Sequence, residues 1–160
     1  YKRSNIILVT KCPDNMDNLE KKVFSEKIKL KKNQKIFFST ISYNKLIFNK
    51  KESRNLNDLK NCDFILLTGI ADNKELLIYL RNFNFKLIEF IDHHDFTNTD
   101  IKKIKNSANG KIILTTEKDY VRIVDKINYD LLYYLPIEMK FFGNEGNLFN
   151  KEIEEYLKEN

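Results

Sequence analysis

Short apolar runs alternate with amphipathic segments along the whole chain. The runs at 5–9, 35–41, 64–68, 85–91, 111–115 and 131–135 place apolar residues at mostly successive positions. A strand apolar on both faces must be covered on both, as in the interior of a parallel sheet. The run 43–48 instead alternates, which predicts a hairpin or an edge strand.

The intervening segments carry helix start signals. Asp72-Asn73-Lys74-Glu75 sets an aspartate three residues before a glutamate, ahead of Leu76, Leu77 and Leu80. Thr97-Asn98-Thr99-Asp100 does the same before Ile101 and Ile104, and Gly110 supplies a stop. Thr116-Glu117-Lys118-Asp119 predicts a capping box ahead of Val121 and Val124. A longer helix is expected from Asp14 toward Lys31, and a final one over 150–158. Repeated strand–helix alternation predicts one α/β domain over 1–160, a three-layer α/β/α sandwich with a mainly parallel, Rossmann-like sheet.

Bulk properties narrow the function. A length of 160 residues with 42% hydrophobic positions allows a real core. The net charge of +5 is modest, and no compact basic block is interleaved with aromatics, so nucleic acid is not an expected partner. An anionic ligand or an anionic membrane surface remains compatible with the charge. Cys12 and Cys62 fit no zinc or redox spacing and read as reduced thiols. No apolar run approaches membrane-spanning length, and no signal peptide opens the chain. The start at Tyr1, without a methionine and almost at once in a strand, reads as a piece of something longer.

Three polar clusters fall at strand tips, the edge where open parallel sheets bind ligands. The first, Asp92-His93-His94-Asp95, holds both histidines of the chain. Its plainer reading is a turn capped by Asp92 or Asp95 with solvated histidines. The other readings are a metal site shared with carboxylates, or a general base whose ring a carboxylate orients. The second, Thr68-Gly69-Ile70-Ala71-Asp72, is an ordinary strand-to-helix turn or a close backbone approach to an anion at a helix start. The third places Lys118 beside a helix N-terminus at Thr116, where an anionic group meets both; capping and binding are compatible there. The four glycines, Gly69, Gly110, Gly143 and Gly146, build no phosphate loop and no dinucleotide fingerprint. A complete nucleotide-dependent enzyme is not expected in these residues.

Taken in order, the motifs point to one family. They are Val9-Thr10-Lys11-Cys12-Pro13, Phe37-Phe38-Ser39 with Tyr43, and Leu67-Thr68-Gly69-Ile70-Ala71. Asp92-His93-His94-Asp95-Phe96-Thr97 with Asp100-Ile101 follows, then Ile113-Leu114-Thr115-Thr116-Glu117-Lys118-Asp119 with Val121-Arg122. Together they resemble the C-terminal half of tetraacyldisaccharide 4'-kinase, the lipid A 4'-kinase of Gram-negative bacteria, from about Tyr1 to Glu138. The resemblance implies transfer of the ATP γ-phosphoryl group to the 4'-hydroxyl of tetraacyldisaccharide 1-phosphate, at the cytoplasmic face of the inner membrane. It implies that ATP and magnesium bind mainly through an N-terminal P-loop domain that this chain lacks. The chain alone is then expected to be inactive and to bind no metal itself.

By the same resemblance His93 is the catalytic histidine, working with an aspartate of the missing domain, and Asp92 orients the loop or the ring. His94 occupies the more variable position. Gly69, Thr116 and Lys118 are the expected substrate-binding residues. The chain departs from the family where Gly-Ile-Ala-Asn-Pro is replaced by Asp72-Asn73 after Ala71, which removes the helix-starting proline, and at Tyr120 in place of a small residue.

Two rival readings remain. A metal-dependent phosphoesterase of the Asp-His-His type needs further aspartates at other strand tips, and Thr10-Lys11, Ser39-Thr40, Thr68-Gly69 and Thr115-Thr116 stand there instead. A non-catalytic domain that binds a membrane or partner surface would use the lysines at 27, 29, 31, 32 and 35, although a solvated face explains such a run equally.

Overall fold

The computed structural model describes residues 4–159; the opening Tyr1-Lys2-Arg3, where the sequence reading noted an abrupt start, lies outside them. In chain order the elements are β1 (Ile6–Val9), α1 (Asn18–Ile28), β2 (Lys35–Tyr43), β3 (Leu46–Phe48) and β4 (Ser53–Asn55). A 3-10 helix (Leu56–Asn61) leads to β5 (Phe64–Thr68), α2 (Lys74–Tyr79), β6 (Phe85–Glu89) and α3 (Asn98–Ala108). Then come β7 (Ile113–Thr116), α4 (Glu117–Ile127), β8 (Leu132–Leu135), β9 (Ile137–Phe141) and α5 (Glu145–Glu159). These elements form two compact units, one from the chain up to Ser42 with the stretch from Glu138 on, the other Tyr43–Ile137.

In the smaller unit β1 pairs in parallel with β2, in the sheet order β1-β2-β9. The long first helix begins later than the pattern predicts, because Asp17 and Glu20 form a reciprocal capping box at its start. α5 begins five residues before the predicted tail helix. Its first residue, Glu145, takes the N–H of Phe38 at 2.7 Å and the Lys21 ammonium at 2.5 Å, so an ion pair among aromatic rings ties α5 to β2 and α1.

The larger unit carries a six-stranded sheet in the order β4-β3-β8-β7-β5-β6. β8, β7, β5 and β6 run parallel, and β3 turns back as a hairpin with β4. The alternating run 43–48 therefore supplies one strand of a hairpin, β3, after a turn in which Asn44 accepts the N–H of Leu46. Period-two alternation sorts the central strands onto two faces. Ile65, Leu67, Ile113 and Leu132 pack under α3 and α4, with Ile104, Ile123 and Ile127. Phe64, Leu66, Leu114 and Tyr133 pack on the other face against Leu56, Leu59, Leu76 and Leu80. Two covered faces make the predicted three-layer sandwich, and they explain why all five residues of β5 are buried.

Connectivity selects one place on this sheet. From β5 the chain moves outward to β6 at the edge; from β7 it moves the opposite way to β8. The tips of β5 and β7 thus flank the point where strand order reverses, the crevice in which open α/β sheets bind ligands.

Local signals are met where their partners are near in sequence. Thr97 and Asp100 form the predicted box, and Asn109 in a left-handed conformation closes α3 before Gly110 at φ +81°. The box predicted at Asp72 does not form. α2 starts one residue later, behind Asn73, whose amide is drawn to the Glu89 carboxylate at 2.8 Å, and Asp72 accepts only the Lys74 N–H. At α4 half of the predicted box forms: Thr116 caps the Asp119 N–H, but the Asp119 carboxylate takes the Thr116 hydroxyl and the Gly69 N–H in place of the Thr116 N–H.

Candidate functional site at the strand tips

All five residues singled out in the sequence lie on the larger unit, at the C-terminal ends of β5, β6 and β7. β6 ends at Glu89, and Phe90 continues the ladder for one bond by donating to the Thr68 carbonyl at 2.8 Å. The chain then turns, with the His94 N–H on the Ile91 carbonyl at 3.1 Å. His93 sits in the turn at φ +60°, a left-handed conformation that costs a side chain with a Cβ roughly 1–2 kcal/mol. Such a residue persists only where its surroundings hold it.

Those surroundings are visible. The Asp92 carboxylate accepts the His93 N–H at 3.0 Å and the Lys118 ammonium at 2.8 Å. The Lys118 hydrogen bond holds the Asp92 carboxyl below its ordinary range, so Asp92 stays ionised. The His93 ring is 78% exposed, and its Nε2 lies 3.5 Å from Asp92 Oδ2. One exposed imidazole thus stands beside a fixed carboxylate, with the other ring nitrogen available to solvent.

His94 is placed differently. Its Nε2 lies 3.0 Å from Asp100, its ring stacks on Phe90 at 4.5 Å, and Phe96 meets its face edge-on. Asp100, with hydrogen bonds from the Thr97 hydroxyl and N–H and then from His94, has its pKa pulled down to about 2. The adjacent histidines therefore divide, one holding the loop to α3 and one facing solvent.

Gly69 and Thr116 meet on a single group. The Asp119 side chain is wholly buried between the tips of β5 and β7; its Oδ2 accepts the Gly69 N–H and the Thr116 hydroxyl, each at 2.8 Å. A Cβ on Gly69 would lie 3.0 Å from Asp119 Oδ1, a tight contact, so glycine eases the close approach to a protein carboxylate there. Asp119 fills the crevice at the reversal of strand order. The solvent-facing groups, His93 and Lys118, stand beside it.

Sequence reasoning missed the far side of α4. Lys118, Arg122 and Lys126 recur every four residues and so share one helix face. Lys118 holds Asp92, Arg122 donates to the His94 carbonyl, and Lys126 holds Asp95 at 2.6 Å. The spacing was legible, as was the acidic loop; their pairing was not.

No three His, Cys, Asp or Glu side chains converge among the described residues, and the four glycines make no phosphate loop. No helix of the described residues is long and apolar enough to cross a membrane, and both cysteines are free thiols.

Fold and site together define a parallel α/β protein with its chemistry-bearing side chains on the C-terminal edge of the sheet. Comparison with known proteins narrows this class. A sequence model of the family "Tetraacyldisaccharide-1-P 4'-kinase" matches residues 1–158. The tetraacyldisaccharide 4'-kinase of Flavobacterium johnsoniae is 42% identical over 99% of this chain and 46% of its own length. That of Flavobacterium psychrophilum is 38% identical over 98% of the chain and likewise 46% of its own length. The crystal structure of LpxK from Aquifex aeolicus in complex with ATP superposes with a TM-score of 0.52 at 20% identity, covering 88% of this chain and 49% of that one. This chain belongs to the tetraacyldisaccharide-1-P 4'-kinase family. It spans about half the length of the relatives it matches.

Proposed function

We propose that this chain is the C-terminal half of an ATP-dependent kinase that phosphorylates the 4'-hydroxyl of tetraacyldisaccharide 1-phosphate in lipid A biosynthesis. Family membership supports the reaction, and the exposed His93 beside ionised Asp92 supports a role for this half in it. ATP and magnesium bind mainly through the N-terminal P-loop domain, and the chain alone is inactive. The enzyme works as a peripheral protein at the cytoplasmic face of the inner membrane, where its lipid substrate resides.

A sugar hydroxyl is a poor nucleophile at neutral pH. His93 accepts its proton as the oxygen attacks the γ-phosphorus, and ADP leaves with the electron pair of the broken bond. Asp92 orients the imidazole and stabilises the imidazolium that forms, in concert with an aspartate of the N-terminal domain. Lys118, half-exposed behind Asp92, and the α4 N-terminus at Thr116 present positive potential to a substrate phosphate. Gly69 lets the neighbouring turn close on the sheet beneath them.

The test is phosphoryl transfer from labelled ATP to tetraacyldisaccharide 1-phosphate by the full-length protein and its His93→Ala variant. Loss of a general base predicts a fall in kcat of about a hundred- to ten-thousand-fold with the fold retained. Unchanged turnover in the variant rejects His93 as the base. No transfer by the wild type rejects the activity.

A further inference from the structure

Arg122 joins two features that the proposed chemistry leaves unexplained. One Nη2 hydrogen bond runs to the carbonyl of His94, the residue that follows strained His93. Its Nη1 is buried without a hydrogen-bond partner and faces Asp119 Oδ1, itself buried and unpartnered, at 3.6 Å. The guanidinium carbon lies 5.8 Å from the centroid of the Phe96 ring, on the far side of the same loop. Asp119 in turn is anchored to the tips of β5 and β7 through Gly69 and Thr116.

This is a continuous strut from the centre of the sheet to the exposed loop. A bare guanidinium against a carbonyl would carry an unbalanced, partly buried charge; Asp119 supplies the counter-charge while remaining fixed by two other bonds. Besides the His94–Asp100 pair, the loop's other charged ties are exposed lysines on Asp92 and Asp95, which solvent screens. Arg122 is its less exposed cationic tie, and it acts on the backbone next to His93.

We propose that Arg122, with Asp119 behind it, is a positioning pair that holds the His93 imidazole in its reactive place during phosphoryl transfer. This rests on His93 being the base. A shift of about 1 Å in a reacting group costs on the order of a hundredfold in rate, and a pair that acts only through His93 loses its effect once the imidazole is gone.

The experiment compares wild type, Arg122→Gln, Arg122→Lys, His93→Ala and the His93→Ala/Arg122→Gln double variant of the full-length protein. Initial rates are measured over ATP and tetraacyldisaccharide 1-phosphate, and hydrogen–deuterium exchange is followed in the 91–96 segment. Arg122→Gln is expected to lower kcat by about ten- to a hundredfold with both KM values within about threefold, and to speed exchange at 91–96. Arg122→Lys, which keeps the charge but not the fork, should recover part of the rate. The double variant should be no slower than His93→Ala alone.

Wild-type kcat in a folded Arg122→Gln protein overturns the proposal. So does a double variant slowed by both factors multiplied, since Arg122 would then act independently of the imidazole. Wild-type turnover in His93→Ala removes the base, and the positioning role falls with it; a crippled His93→Ala beside an unaffected Arg122→Gln leaves the base standing. If Arg122→Gln does not fold, Asp119→Asn keeps the shape and removes the counter-charge. It is expected to give the same loss in kcat alone, and unaltered kcat there overturns the pairing.

Discussion

Replacing Gly69 by alanine adds one methyl group where the tips of β5 and β7 meet. The new Cβ would lie 3.0 Å from Asp119 Oδ1, 3.6 Å from its Cγ and 3.7 Å from the Ile91 carbonyl. The first contact is too short, and the carboxylate has little room to retreat: it is wholly buried and holds the Gly69 N–H and the Thr116 hydroxyl at 2.8 Å. Overpacking of this kind costs about 1–3 kcal/mol, and lengthening a charge-assisted bond acts in the same direction. We expect Gly69→Ala to destabilise by about 2 kcal/mol, a fall in Tm of roughly 4–8 °C for a chain of this size.

The paired perturbation makes the reasoning sharper. Asp119→Ala removes both acceptors and leaves Arg122 facing a vacated site, for a loss of about 3–5 kcal/mol. In the double variant the methyl group no longer meets a carboxylate, so the two losses should sum to at least about 1 kcal/mol more than the double variant shows. Urea unfolding of the 160-residue chain, followed by circular dichroism, measures all three. A neutral Gly69→Ala, or losses that add to within about 0.5 kcal/mol, would show that the close approach carries no energetic weight.

Two pH-dependent effects follow from the hydrogen-bonded groups. Asp100 has its pKa lowered from 3.8 to about 2, so its stabilising contribution is present above the unfolded value and is lost as pH falls from about 4 toward 2. Asp100→Asn should flatten that acid limb of the urea midpoint against pH, and an unaltered limb would reject the assignment. Tyr133, buried and donating its hydroxyl to Glu52, has its pKa raised to about 12. Its contribution is present below the ordinary tyrosine value and lost as pH climbs through about 12. An ultraviolet alkaline titration should therefore lose its latest-ionising tyrosine in Tyr133→Phe.

The strand-tip cluster was legible because strand, tip and polar residues are contiguous between Phe85 and Asp100. The Thr97 box was legible for the same reason, its two partners standing three residues apart. Asp119 was misread. Its sequence neighbours predict a capping residue, and Thr116 does cap its N–H, but its carboxylate answers an N–H fifty residues earlier. β9 escaped because Ile137, Met139 and Phe141 alternate with Glu138 and Lys140 in a stretch read as the end of a motif. The Asp72 box failed in favour of Asn73, whose amide found Glu89 on the neighbouring strand.

By itself the sequence determined the period of the central strands, the helix start at Thr97, and the family to which the ordered motifs point. All three depend on residues close along the chain or on their order within it. Tertiary structure alone decided that β5 lies between β6 and β7, and with that order it brought Gly69, Thr116 and Asp119 onto one buried carboxylate. It also decided that α4 faces the loop after β6, which turned an evenly spaced run of cations into ties on Asp92, the His94 carbonyl and Asp95, on either side of His93. Helix spacing places Lys118, Arg122 and Lys126 on one face; only packing against a particular strand edge decides what that face meets.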